Sequence, residues 1–415
     1  MAVLIVSVPN DYESVAVQWA LRKLGTDCDI LYSADLAGGA EWSYRPDAPH
    51  RLDTEFHGSS QRFGFQDYST VWMRRPNVIV PRPALTDRFE QSAAERDCSQ
   101  FMRSMFARIE RGRFVASRFD ATRTCNSKPF QFGVAREVGL PIPPTLISNS
   151  PQRILRFFHE HGGRMVYKPL VANMFQLANG HTSIAPTTLI EDEALLRDND
   201  LTSAPGICQA AIEKTAEIRV TILGRSVFAV EKTFPRRSAA LHIDWRGMHN
   251  DAVYREHILP EPIIEQSVRL LRELGLVMGM FDFILDRAGN YYFLEVNPQG
   301  QFLWADQLAA VQMNQLEGMA QFLRSKDPDF RHVREDRVSC AEFDVHGDRE
   351  AIRARELAEH YGDVLTYQHG AVSFPFFQPF ALPPGTDTGR LEAEDGRTAN
   401  LPHGSVAPMA AGGNA

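Results

Sequence analysis

The fold is decided by two neighbouring stretches of the chain, Phe281-Asp-Phe-Ile-Leu285 and Tyr292-Phe-Leu-Glu-Val-Asn-Pro-Gln-Gly-Gln301. Both read as apolar strands, and the turn-forming Asp, Gly and Asn residues between them predict a β-hairpin. Glu295 and Asn297 are two residues apart, so their side chains share one face of the second strand. The hairpin can bring Asp282 of the first strand alongside them.

These three side chains offer the oxygen ligands that Mg²⁺ prefers. Mg²⁺ usually takes one or two carboxylates and completes its shell with water and nucleotide phosphates. The alternative is a strand whose acidic residues lie on a solvated outer face. However, Asp and Glu between Phe, Leu and Val in a run that otherwise reads as buried are costly unless they bind something. We therefore predict that Asp282, Glu295 and Asn297 are metal ligands.

Length, charge and cysteine content exclude several other classes of protein. The chain has 415 residues and an ordinary globular composition, which suits two to four domains. Its net charge of −8 argues against a nucleic-acid partner. The five cysteines form no close pair, so we expect neither a disulfide framework nor a zinc site. No signal-peptide pattern or membrane span is evident, and we expect a cytoplasmic protein.

The order of apolar runs predicts a mixed α/β and α+β chain of several lobes. A strand–helix–strand pattern fills a first α/β lobe over residues 1–120, and a small second lobe covers 121–206. Residues 207–330 form a third lobe, which contains the hairpin. We expect an ordered appendage over 331–382 and a disordered tail over 383–415.

A metal–nucleotide site also needs cations that face the metal and hold phosphates. Lys128 begins a helical pattern, and Lys168 lies within the apolar strand Met165-Val-Tyr-Lys-Pro-Leu170. A lysine within a strand is usually a solvated edge residue, so neither lysine identifies the site alone.

Together these features resemble the ATP-grasp superfamily. They comprise the lysine within a strand, a later Gln209-Ala-Ala-Ile212 segment, and an Asp and a Glu-x-Asn that are 13 residues apart. The resemblance implies a pre-ATP-grasp first lobe, followed by central and C-terminal ATP-grasp lobes that close on ATP and Mg²⁺. It further implies roles for individual residues: phosphate contacts for Lys128 and Lys168, adenine contacts for Gln209, Ala210 and Ile212, ribose binding for Glu217, and Mg²⁺ binding for Asp282, Glu295 and Asn297.

Four segments are more specifically similar to the graspetide synthetases, the microviridin-type ligases that cyclise ribosomal precursor peptides. They are Val71-Trp-Met-Arg-Arg-Pro76, residues 126–149, Ile243-Asp-Trp-Arg246 and residues 297–304, and the similarity covers about residues 1 to 325. It implies that an Asp or Glu side chain of a peptide is activated as an acyl phosphate. A Ser or Thr hydroxyl or a Lys amine then forms an ester or amide.

The implied partner is a precursor peptide with a leader and an acidic core. We also expect a homodimer that binds neither nucleic acid nor membrane. The tail beyond 383 holds Thr, Glu and Asp residues of the kind that such ligases join. It is either an acidic solubilising segment or a fused core peptide, and the lack of a repeated Thr and Glu pattern favours the first.

Two arginines are candidates for holding the γ-phosphate and the reacting carboxylate, because a guanidinium can bind either in bidentate fashion. They are Arg219 and Arg246, and the alternative is that both are ordinary surface residues. The pair Arg74-Arg75 either packs against carboxylates or contacts substrate.

Two other functions stay open. The first is a carboxylate–amine ligase that acts on small molecules or adds amino acids to a peptide. Small-molecule ligases of this superfamily carry an Arg two residues before the first metal Asp, whereas this chain has Met280 there. The second is a peptide-binding module without turnover, against which the complete set of metal ligands and lysines argues.

Overall fold

The structure is a computed structural model of the full chain. It describes residues 2–36, 40–47, 51–56, 59–76, 85–170, 174–176, 182–184, 187–197, 201–234, 252–308, 310–349, 351–352 and 355–356. None of the helices in these ranges is both long and apolar enough to cross a membrane.

The first lobe begins with the predicted strand, helix and strand. Its elements are β1 (Ala2–Ser7), α1 (Tyr12–Lys23), β2 (Cys28–Tyr32), β3 (Glu41–Tyr44), β4 (Arg51–Phe56), β5 (Ser59–Gly64), β6 (Tyr68–Met73), α2 (Arg88–Glu110), β7 (Phe114–Ala116) and α3 (Phe119–Cys125). Asp11 caps α1 by accepting a hydrogen bond from the Ser14 backbone N–H at 3.2 Å.

A parallel sheet in the order β2-β1-β6-β7 forms the centre of this lobe. Successive side chains of β1 point to opposite faces of the sheet. Val3 and Ile5 join the cluster that includes α1, whereas Leu4 and Val6 join the cluster that includes α2. Strands β3 to β5 form a separate antiparallel sheet that the sequence analysis did not predict.

The second lobe is small and mostly antiparallel. Its elements are α4 (Lys128–Glu137), β8 (Thr145–Ser148), α5 (Pro151–Glu160), β9 (Met165–Pro169), β10 (Met174–Gln176), β11 (Thr182–Ile184), β12 (Thr188–Ile190), α6 (Ala194–Arg197) and β13 (Gly206–Ala210). Four strands form a sheet in the order β12-β9-β13-β8, which places Lys168 of β9 opposite Ile207 of β13.

The third lobe holds the predicted hairpin. Its elements, with the two helices that follow it, are β14 (Lys214–Leu223), β15 (Ser226–Thr233), β16 (Val253–Glu256), α7 (Glu261–Glu273), β17 (Met278–Asp286), β18 (Tyr291–Asn297), α8 (Gln315–Ser325) and α9 (Cys340–His346). The sheet order is β16-β15-β14-β17-β18, with every pair antiparallel. Phe132 of α4 and Leu271 of α7 pack with Phe281 and Phe293 on one face, which leaves the opposite face for polar side chains.

The segment after residue 331 packs on the first lobe as far as it is described. The ring of Phe343 in α9 lies 5.5 Å from the rings of both Tyr12 and Trp19. Glu356 accepts a hydrogen bond from the Asn10 backbone N–H at 2.8 Å. The expected tail over 383–415 lies outside the described residues.

Candidate active site

The three predicted metal ligands lie together on the polar face of the third sheet. Asp282 of β17 stands opposite Glu295 of β18, and Asn297 follows two residues later on the same face. The Asn297 Nδ2 atom lies 3.3 Å from Asp282 Oδ2 and 3.3 Å from Glu295 Oε1. The hairpin therefore brings all three side chains within hydrogen-bond distance, as its register requires.

Two predicted cations contact these carboxylates directly. Lys128 Nζ lies 2.7 Å from Glu295 Oε2. Arg219 of β14 stands opposite Asp282, and its Nη1 atom lies 2.9 and 2.8 Å from the two Asp282 oxygens. Two of the four cations predicted to contact the substrates thus lie beside the predicted metal ligands.

Burial and these cations set the charge state of the two carboxyl groups. Burial opposes ionisation of Glu295, but Lys128, Asn297 and Lys168 together outweigh burial and lower the Glu295 pKa to about 2. Burial raises the pKa of Asp282; Arg219 opposes this shift, and the neighbouring Glu295 adds to it. Glu295 is therefore an anion at neutral pH, and a further cation beside Asp282 would favour its ionised form as well.

This donor set fits Mg²⁺. Two carboxylates and one amide are the protein ligands typical of Mg²⁺, which leaves most of its shell to water and phosphate. Asn297 donates its amide N–H to both carboxylates here, and a half-turn of the amide would present its oxygen instead. In the ranges that the structure describes, no group of three or more His, Cys, Asp or Glu residues could hold a metal.

Gln131 holds the strand that carries two of the ligands. It lies one turn after Lys128 in α4 and is buried. Its Oε1 accepts the Val296 backbone N–H at 2.9 Å, and its Nε2 donates to the Val296 carbonyl at 3.0 Å. Val296 lies between Glu295 and Asn297. The sequence analysis missed this residue, although its spacing of three from Lys128 puts both side chains on one helix face.

A cavity of about 530 Å³ opens between the second and third lobes, next to these residues. Its volume lies within the range that is usual for small-ligand sites. Lys168 and the Gln209-to-Ile212 segment, for which phosphate and adenine contacts are predicted, line it. Its apolar walls come from Val166, Ile284 and Leu294.

Glu217 lies on β14 two residues before Arg219 and so points to the same face of the sheet. Its carboxylate pairs with Lys214, which lines the cavity, and its Oε2 lies 3.9 Å from Lys232 Nζ. The predicted ribose ligand is therefore next to the cavity. Arg246, the remaining candidate, lies outside the described residues.

Comparison with solved structures identifies this arrangement. The chain is 25% identical to the macrocyclase MdnC of Microcystis aeruginosa bound with the precursor peptide MdnA; the TM-score is 0.69, and the match covers 79% of this chain and 100% of that one. It is also 25% identical to a RiPP-associated ATP-grasp ligase of Chryseobacterium gregarium in complex with ADP and a leader and core peptide, with a TM-score of 0.68 and coverage of 80% and 100%. The chain has the fold of the ATP-grasp ligases.

The chain also shares its fold with the ATP-grasp ligase PsnB, in a complex with Mg, ADP and a variant precursor, at 21% identity and a TM-score of 0.61 over 79% of this chain and 98% of that one. The matches confirm the resemblance to the graspetide synthetases. No protein-family model and no curated protein sequence matches the chain.

Proposed function

We propose that the protein is an ATP-dependent macrocyclase that joins side chains of a ribosomal precursor peptide. The observation that carries this proposal is the convergence of Asp282, Glu295 and Asn297 with Lys128 and Arg219 beside the cavity. Two of the most similar solved structures are a macrocyclase and a RiPP-associated ligase, each bound with peptide, which supports a peptide substrate.

Different residues have different roles in phosphoryl transfer. The Gln209-to-Ile212 segment and the apolar walls bind adenine, and Glu217 accepts hydrogen bonds from the ribose hydroxyls. Lys168 and Lys128 hold phosphate oxygens. Bound Mg²⁺ on Asp282, Glu295 and Asn297 would neutralise charge that builds on the transferring phosphoryl group.

Arg219 and Arg246 orient the reacting groups. A peptide carboxylate oxygen bonds to the γ-phosphorus as the bond to ADP breaks, which leaves an acyl phosphate. A Ser or Thr hydroxyl or a Lys amine then bonds to the acyl carbon, phosphate leaves, and the attacking group loses its proton. Because this chemistry needs little more than positioning and charge neutralisation, the bidentate reach of the arginines suits both steps.

The test is to incubate the protein with ATP, Mg²⁺ and the acidic peptide encoded beside it, and to follow the mass of the peptide. Loss of mass in units of one water, with one ADP formed per unit, supports cyclisation. Gain of mass from an added amine, or turnover with small carboxylates alone, would support the small-molecule or amino-acid ligase instead. Peptide binding without ADP formation would support the non-catalytic module.

Oligomeric state, location and lobe boundaries are further parts of the proposed description. We propose a homodimer, which light scattering of the purified protein would test. We also propose a cytoplasmic location, which is supported by five cysteines that are all free. We also propose a division into lobes near residues 120 and 206, which fall at α3 and β13, and an appendage from residue 331.

A further inference from the structure

A buried cluster of charges lies in the first lobe, at the carboxyl ends of β1 and β6. It consists of Arg74, Asp11 and Glu13, which have relative exposures of 0%, 4% and 4%. Arg74 Nε lies 3.1 Å from Asp11 Oδ2, and Arg74 also forms an ion pair with Glu13. Arg75 Nε approaches Asp11 Oδ1 at 3.1 Å. Of the two possibilities left open by the sequence, Arg74 packs against carboxylates.

Asp11 accepts further hydrogen bonds within the first lobe, from the Ser7 hydroxyl and the Ser14 backbone N–H. Arg74 and Glu13 instead bond to a single loop, Pro298 to Leu303, which we call the 298–303 loop. Arg74 Nη1 donates to the carbonyl of Gln299 at 2.6 Å and to that of Gly300 at 3.0 Å. Glu13 Oε1 accepts the backbone N–H groups of Phe302 at 2.6 Å and of Leu303 at 3.1 Å. The cluster therefore binds the loop by both its carbonyls and its amides.

The same loop forms the back of the candidate active site. It follows Asn297 directly, and its Gln301 carbonyl accepts a hydrogen bond from Arg219 Nη2 at 3.0 Å. A Cβ atom on Gly300 would lie 2.7 Å from Arg219 Nη2 and 3.1 Å from the Asn297 Cβ. A small shift of the loop would therefore move the Arg219 guanidinium or collide with it.

Stability alone explains this cluster poorly. Burying paired charges carries a desolvation cost, and well-packed apolar residues often serve a fold equally well or better. A buried cluster in which Arg74 and Glu13 both bond to one loop is suited to fixing the position of that loop. Groups that hold site residues in this way commonly change activity about 10- to 100-fold when they are altered.

We propose that Arg74, Asp11 and Glu13 are positioning residues that set Arg219 and Asn297 for phosphoryl transfer through the 298–303 loop. The expected effect on kinetics rests on the proposed function, whereas the expected effect on the 298–303 loop rests on the loop contacts alone. On this proposal, the first lobe contributes to the active site without contacting nucleotide or metal.

The experiment compares Arg74→Lys and Glu13→Gln with the control Arg113→Lys. Arg113 lies in the same lobe and also donates to backbone carbonyls, those of Tyr68 at 3.0 Å and Ile109 at 3.1 Å, but the structure shows no bond from it to the 298–303 loop. Hydrogen exchange of the loop amides, calorimetric binding of ADP with Mg²⁺, and kcat and KM for ATP are measured for each variant.

We expect faster exchange at Phe302 and Leu303 in both cluster variants, and a kcat about 10- to 100-fold lower with KM for ATP little changed. The control should keep slow exchange at these amides and a kcat near that of the wild type. The proposal would be overturned if the cluster variants showed the same loop exchange and the same kcat as the control.

A second variant perturbs the loop from the side of the site and leaves the cluster intact. Gly300→Ala places a methyl group against Arg219 and should lower kcat by a similar factor, whereas Gly133→Ala meets nothing within 4 Å and should keep wild-type turnover. Equal turnover of the two glycine variants would contradict the proposed route through the loop. If the wild type cyclises no peptide, the proposed function fails, while the exchange data still decide the loop contacts.

Discussion

Replacing Glu295 by Gln keeps the shape of the side chain and removes one charge from the metal site. Burial raises the pKa of Glu295, but Lys128, Asn297 and Lys168 together lower it from the ordinary 4.5 to about 2. That difference corresponds to about 3 kcal/mol in favour of the ionised form in the folded protein. Because the pKa falls on folding, this contribution is present at pH 7 and is lost as the pH falls from about 4.5 to about 2.

Two effects of Glu295→Gln follow. At pH 7 the free energy of unfolding should decrease by up to about 3 kcal/mol, as measured by urea denaturation. ATP turnover with Mg²⁺ should decrease at least about 100-fold, because the metal loses a charged ligand at the point where phosphoryl charge develops. The folded protein should persist, as judged by circular dichroism.

Glu231→Gln is the matched control. Glu231 is buried in the same sheet and pairs with Arg255 at 2.5 Å and His257 at 2.9 Å. Its register partner Ile218 lies in the apolar cluster on the opposite face from Glu295. This variant should lose stability but retain Mg²⁺-dependent turnover. Equal turnover in Glu295→Gln and Glu231→Gln would refute the assignment of Glu295 to the metal.

Three further changes test other parts of the site. Gln131→Leu leaves the Val296 backbone without its side-chain partner, which should cost about 1–3 kcal/mol in denaturant melts and lower kcat; an unchanged kcat would show that the strand keeps its position without this contact. Glu217→Gln should raise KM for ATP more than it lowers kcat, and the opposite pattern in steady-state kinetics would argue against ribose binding. Arg246→Ala should impair peptide cyclisation more than ATP affinity, and equal losses in a nucleotide-binding titration would place this arginine at the nucleotide.

Local patterns were sufficient to predict the hairpin and the ligands on it. The spacing of Glu295 and Asn297 fixes their common face. The turn sets the register as far as Phe283 and Phe293, and a bulge at Leu294 then places Asp282 opposite Glu295. The hairpin itself follows from the turn that closes it, so no distant part of the chain is needed to predict it. For the same reason, the opening strand, helix and strand of the first lobe were predictable.

Contacts between distant parts of the chain were not predictable in this way. Arg74 and the Gln299 carbonyl are separated by 225 residues, and Gln131 and Val296 by 165. An arginine pair and a helical glutamine carry no periodic signal, because their partners are set by how the lobes pack. Strands β3 to β5 were not predicted from the sequence, because they are short and strongly polar, as in Arg51-Leu-Asp-Thr-Glu-Phe56.

The packing of α9 has a consequence for how the chain acquires its structure. One apolar cluster joins Val3 and Trp19 at one end of the chain to Leu316 and Phe343 at the other. Contacts of such sequence separation form slowly, because a long loop must close before they contribute. The first lobe emerging during synthesis therefore cannot complete its core until α8 and α9 are available. Fragments that end before α8 should expose the apolar face of α1 and aggregate, so this ligase is expected to fold as a whole rather than lobe by lobe.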